Sequence, residues 1–167
     1  MRQRIASWII SLANRPQDFT IYRRGAPQLL RWWLIPRNRG CNLYLHHFIG
    51  SDEAAALHDH PWHNLSLILS GRYFEHTIRA GGVHAMKERR AGQMAVRSPW
   101  TAHRVEMAPG EDCWSLFITG PKLRSWGFHC ESGWRHWCSF VDARDSGVTG
   151  TGCLGEEEYA RVKEASG

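Results

Sequence analysis

No apolar run in this 167-residue chain approaches the roughly 18–20 residues that a bilayer span requires. The opening residues, Met1 to Leu12, are basic and partly apolar, but the apolar stretch is short and no small-residue cleavage site follows it. That argues against a signal peptide or an anchor. No C-x-x-C pair occurs among the five dispersed cysteines, Cys41, Cys113, Cys130, Cys138 and Cys153. The expectation is therefore reduced, mostly buried thiols in a soluble cytoplasmic protein rather than a disulfide framework. Acidic charge is almost missing from the first fifty residues, where eight arginines face Asp18 alone. A basic third of this kind can meet nucleic acid, an anionic surface or an acidic substrate. No recognised nucleic-acid motif accompanies it, so a solvated basic face is expected, with nucleic acid and membrane disfavoured as partners. The chain also lacks an internal repeat and the low hydrophobicity of a disordered protein, since 43% of it is hydrophobic and 22% charged. One domain is expected at this length.

Ile5, Trp8, Ile9 and Leu12 follow the i, i+3, i+4, i+7 spacing of one helix face, and Asn14 and Pro16 close that helix. It is expected on the outside of the domain or against a second subunit. After Gly40 the texture changes to short runs rich in β-branched, aromatic and leucine residues: Asn42–Ile49, Asn64–Ser70, Arg72–Arg79, Gln93–Arg97, His103–Met107, Cys113–Thr119 and Trp134–Val141. Turn residues such as Gly71, Gly81-Gly82 and Pro109-Gly110 punctuate them. Many short strands at this spacing predict an all-β sandwich or barrel. The division expected is 1–40 as an N-terminal helix and basic lead-in, 41–141 as the barrel, and 142–167 as a Gly-rich tail with a terminal helix over Glu156–Ala165.

The segment Leu57-His58-Asp59-His60-Pro61-Trp62-His63-Asn64 carries the chemistry. His58 and His60 are two apart, so an extended strand turns both imidazoles to one side. Neutral imidazole suits Zn, Fe, Ni and Cu, and a third ligand from another strand leaves coordination positions open for substrate. His103, opening a later strand, is the natural third. His63 and Asn64 are alternate ligands; an undisturbed strand would turn His63 away, although Pro61 can break that register.

These residues resemble the cupin superfamily, whose first motif is H-x-H, a short spacer, usually Glu, six residues and Gly. Here His58-x-His60-x3-Asn64-x6-Gly71 fits except that Asn64 replaces the Glu. The second motif appears loosely as Gly92-x5-Ser98-x-Trp100-x2-His103. The resemblance covers roughly residues 40–121 and implies an all-β, cupin-type double-stranded β-helix (jelly-roll) barrel with the metal inside. A finer resemblance is to the cysteine dioxygenase type of thiol dioxygenase, through His58-Asp59-His60, the Leu65–Gly71 run, His103-Arg104-Val105-Glu106, and Ser115-Leu116 ahead of Pro121. It implies one divalent metal ion, Fe(II) in preference to Zn or Ni, on His58, His60 and His103. It also implies a substrate carboxylate held by an arginine, for which Arg31 aligns, with Arg23, Arg24 and Arg37 also available. The chain departs from that type where a His and a Tyr become Phe117 and Thr119, and where Asn64 stands at a cysteine position.

Ser115, Phe117 and Thr119 alternate on one strand face, and with Trp62, Trp100 and Arg31 they are the expected substrate pocket. Three neutral histidines leave a divalent ion its full charge, so thiolate, carboxylate or enolate would bind it directly. Glu75 or Glu106 could serve as an acid in place of the missing Glu. The dense Trp126–Cys138 segment holds His129, Cys130, His136 and Cys138, but their spacing fits no zinc module, and an aromatic strap over the barrel is the expectation. The function expected is a metal-dependent enzyme, an Fe(II) dioxygenase acting on a small thiol- or carboxylate-bearing substrate. A non-catalytic small-molecule binder and a cupin isomerase or epimerase are the alternatives, and a homodimer is accommodated.

Overall fold

Period-two alternation organises the chain. In the strand Cys113–Thr119 every second residue is buried (Cys113, Ser115, Phe117, Thr119) while Trp114, Leu116 and Ile118 face outward. A strand that buries one face needs a closed partner surface, and the computed structural model, which describes residues 2–23, 25–52 and 56–165, supplies it as a barrel of antiparallel strands. They are β1 (Phe19–Arg23), β2 (Ala26–Trp33), β3 (Asn42–Phe48), β4 (Leu57–His58), β5 (Asn64–Ile78) and β6 (His84–Arg90). Then follow β7 (Met94–Arg97), β8 (His103–Glu106), β9 (Cys113–Thr119), β10 (Gly127–Cys130) and β11 (Gly133–His136). The strand order is β1-β2-β3-β9-β5-β8-β4-β10-β11, with β6 and β7 also paired to β5. Helix α1 (Arg2–Ser11) precedes the strands in the chain and α2 (Glu156–Ala165) follows them.

β5 is the pivot. Its first half pairs with β7 and β9 and its second half with β6 and β8, so one strand serves both sheets. The crossing lies at a register shift after Ile68 and at Gly71. Gly71 has φ +74°, and a Cβ there would stand 2.0 Å from the carbonyl oxygen of Asp112; only glycine fits. The sequence reading split β5 at this glycine, taking it for a turn. Beside the crossing, Ile68, Tyr73, Val105, Met107 and Cys113 form an apolar plug. Ile68 and Leu45 are almost wholly buried, and truncating either to alanine should cost about 2–5 kcal/mol.

Three further features differ from the sequence expectation. β1 and β2 lie inside the supposed lead-in, so the sheet begins at Phe19 rather than after Gly40. β6, with the charged sequence HAMKERR, escaped notice because it is exposed along most of its length. Cys130 is joined to Cys153 by a disulfide (S–S 1.97 Å), which corrects the expectation of reduced thiols and removes the thiol argument for a reducing compartment. The bond ties the tail back onto β10, an arrangement that scattered cysteines do not disclose. α1 ends as expected and lies against β5, with Ile5 and Trp8 exposed (53% and 65%). Among the described residues no helix is long and apolar enough to cross a membrane.

Candidate metal centre and cavity

β4 and β8 are antiparallel partners with His58 directly opposite His103, and His60 follows just beyond the end of β4. The three imidazoles meet with ring centroids 4.7–5.1 Å apart, and one nitrogen from each lies within 4.8 Å of the others. The Nε2 atoms of His60 and His103 are 2.9 Å apart. Two nitrogens bound at a right angle to one ion, each about 2.1 Å from it, stand about 3 Å apart. Geometry and donor chemistry therefore fit a divalent ion of the Zn, Fe, Ni or Cu kind.

The ligand set is prepared for that role electrically. Burial lowers the pKa of all three histidines: His58 against the pull of Asp52, His60 with help from its two histidine neighbours, and His103 to about 3 with help from Arg97. All three are neutral at pH 7, as metal ligands must be. Behind them stand carboxylates. His103 Nδ1 faces Glu75 Oε1 at 3.3 Å, off the ideal hydrogen-bond line, and His58 Nδ1 lies 3.9 Å from Asp52 Oδ2. Outer partners of this kind turn the rings and set which nitrogen is free. Glu75 is 2% exposed. Burial alone would raise its pKa, but His103 and the charges of Arg97 and Arg89 hold it well below the usual carboxylate range. Arg97 completes the network, donating to Glu75, Asn64 Oδ1, Ser66 Oγ and the Tyr73 hydroxyl.

The histidines open onto a cavity of about 360 Å³. One wall is a row across β1, β2 and β3: Arg31 is paired in register with Phe19 on one side and His46 on the other. Arg31 donates from Nε to His46 Nε2 at 2.8 Å. Its guanidinium lies over the rings of Phe19 and Tyr44, at 5.7 and 5.1 Å. Burial lowers its pKa to about 10, still far above neutrality, so it carries its charge, and among the described residues no carboxylate pairs with it. His46 is stacked on Phe117 at 4.9 Å, and Phe117 in turn packs on His60 at 5.6 Å. Burial, with Arg31's charge, keeps His46 neutral.

The barrel is similar to solved structures. One is a cupin-2 domain from Rhodospirillum rubrum, with TM-score 0.54 and 16% identity over 69% of this chain and 76% of that one. The chain has the cupin fold. It is also similar to the DMSP lyase DddQ from Ruegeria pomeroyi DSS-3, with TM-score 0.54 and 16% identity over 71% of this chain and 62% of that one. No protein-family model matches the sequence, and no curated protein matches it.

Within this cupin barrel the remaining expected residues are sorted as follows. Arg31, Trp62 and Phe117 line the cavity with the histidines. Trp100 is 68% exposed and lies outside the lining, because the turn before β8 carries it outward. Ser115 and Thr119 point inward and are 1% exposed, but they too lie outside the lining. Asn64 is buried and engaged by Arg97 rather than aimed at the triad. His63 is exposed. Among His129, Cys130, His136 and Cys138 the disulfide takes Cys130, while His129 contacts Asp59. The strap itself is real: β10 pairs with β4, and Asp59, 1% exposed between two of the histidines, fastens it by accepting from Gly127 N, Arg124 and Trp134 Nε1. The sequence reading missed two contributors, His46 and the tail, whose Ser146–Thr149 stretch closes the cavity beside Phe140 and Trp137. The bridges Tyr22↔Val148 and Val141↔Thr149 pin that stretch, a long-range pairing with no local sequence signature.

Proposed function

We propose that this cupin is a metal-dependent enzyme, an Fe(II) dioxygenase acting on a thiol- or carboxylate-bearing small molecule, with His58, His60 and His103 as the ligands. The carrying observation is the convergence of three neutral imidazoles on a cavity that also holds the cation Arg31, which no carboxylate pairs among the described residues. An Fe(II) ion bound there would supply the Lewis acidity and redox capacity that oxygen insertion requires. The chain's own residues do the rest. Arg31 binds and orients an anionic group of the substrate. Glu75 holds the His103 ring in its bonding orientation. Phe117 and Trp62 exclude water from the reacting end. His46 stands neutral and accepts from Arg31 Nε, which holds the guanidinium in place.

The test is elemental analysis of the protein after anaerobic loading with Fe(II), next to a His58→Ala/His103→Ala variant, followed by oxygen uptake with a panel of thiols and small acids. Near-stoichiometric iron that the variant loses, with substrate-dependent oxygen uptake, is the expected result. Metal binding without oxygen uptake overturns the dioxygenase assignment; conversion or mere binding of a panel member then separates isomerase from binding protein. Failure to hold any metal overturns the enzyme reading itself.

A further inference from the structure

The guanidinium of Arg31 is constrained on every side but one. Its Nε is given to His46, and its faces lie over Phe19 and Tyr44. Neither Nη group has an acceptor among the described residues, and both belong to a side chain that lines the cavity. A planar fork with Nε taken presents two parallel donors, the match for the two oxygens of one carboxylate. Arg37, over the Trp33 ring, lines the same cavity, but a phosphate would bring a third oxygen that the two parallel donors of Arg31 do not match.

The body of the ligand is described by the remaining walls. Tyr44, His46 and Phe117 form a stacked series, with interplanar angles of 7–20°, so a flat aromatic surface already faces the space. Across the chain's fold, Phe128 and Phe140 are stacked with centroids 3.6 Å apart, and Trp126 and Trp137 lie parallel to within 4°; all four line the same cavity. A volume of about 360 Å³ equals about a dozen water molecules at roughly 30 Å³ each. A three-carbon thiol acid would leave more of that space to water against apolar rings than a fused-ring body does.

We propose that the cavity takes a flat, ring-bearing carboxylate of about two fused rings, its carboxylate on the two free Nη groups of Arg31 and its rings between the aromatic walls. This rests on the reading of the cavity as the substrate site of the proposed enzyme and narrows its substrate class to ring acids. Their recognition by Arg31 does not require the metal.

The test is calorimetric titration of the full chain, metal-free and Zn-loaded, with 2-naphthoate, naphthalen-2-ylmethanol, 2-naphthyl phosphate and 3-mercaptopropionate. The expected result is 2-naphthoate binding about tenfold or more tighter than the neutral alcohol and the thiol acid. That preference over the alcohol should vanish in Arg31→Met and return in part in Arg31→Lys. Equal or tighter binding of 3-mercaptopropionate or the phosphate overturns the proposal. So does a preference that survives in Arg31→Met, or no naphthoate binding up to millimolar concentration. Should Arg31→Met fail to fold, the wild-type comparison of acid with alcohol and the Lys variant still decide. Arg31-dependent naphthoate binding in protein that holds no iron would support the ring-acid assignment while the dioxygenase reading failed.

Discussion

Of the three arginines that line the cavity, Arg31, Arg37 and Arg97, Arg97 and Arg31 stand in opposite circumstances. On the β5–β7–β8 wall, Arg97 is 4% exposed and fully met by Glu75, Asn64, Ser66 and Tyr73. On the β1–β2–β3 wall, Arg31 gives one hydrogen bond to a neutral histidine and lies between aromatic rings. The first cation is neutralised by the fold and serves to brace the residues behind the metal ligands. The second has no counter-charge among the described residues. A half-buried charge without a partner lowers stability, and the aromatic faces offset only part of that through cation–π attraction. The contrast separates architecture from recognition: one wall is finished without a ligand, the other is completed by one.

The largest effect should come from unbalancing the finished wall. Glu75→Gln keeps the shape but leaves Arg97 and Arg89 without their carboxylate, and should destabilise the protein by about 3–5 kcal/mol in urea unfolding while weakening metal retention at His103. A second measurement sharpens the contrast through pH. His46 on the Arg31 wall is held neutral in the fold, so below about pH 6.5 the unfolded chain binds a proton there that the native protein does not. Stability contributed at that site is complete above that pH and is lost as the pH falls. His46→Gln should flatten the decline of urea stability between pH 6.5 and 5 by up to about 1.4 kcal/mol per pH unit; an unchanged slope would show that His46 protonates freely in the native barrel. The smallest effect on folding is expected from Arg31→Met, which removes an uncompensated charge and keeps the apolar stem. It should shift stability by no more than about 1 kcal/mol, in either direction. A loss as large as that of Glu75→Gln would break the contrast between the walls.

What could be read from the residues alone follows the range over which each signal acts. The His58/His60 pair and the β9 alternation are local and were legible, and so was the terminal helix over Glu156–Ala165. The pairing of His58 with His103 needed only the assumption that two strands meet. β5 was legible in both halves but not as one strand, because Gly71 looks the same in a turn and in a crossing. β2 carries Pro27 and two adjacent tryptophans, which break a clean alternation. His46 gave no signal, since a histidine beside His47 in an apolar strand is told from its neighbour only by which side faces inward. Trp100 shows the converse error: a large aromatic near a ligand in sequence need not share its cavity.

The stretch from Ser146 to Thr149 belongs to no strand of the barrel yet forms part of the wall around the occupant. Barrel and cavity boundary are therefore separate inheritances. The strands that position the three histidines depend on pairing and burial, and tolerate little change. The segment that closes the space is held by two isolated bridges, backbone hydrogen bonds such as Tyr22 N to Gly147 O, and a crosslink near its end; apart from Gly147, where a Cβ would stand 2.3 Å from the Thr20 carbonyl oxygen, its side chains can vary without disturbing the metal centre. Among chains sharing this barrel, differences in what the cavity admits would collect after Val141, in residues that a comparison of strands alone would discard.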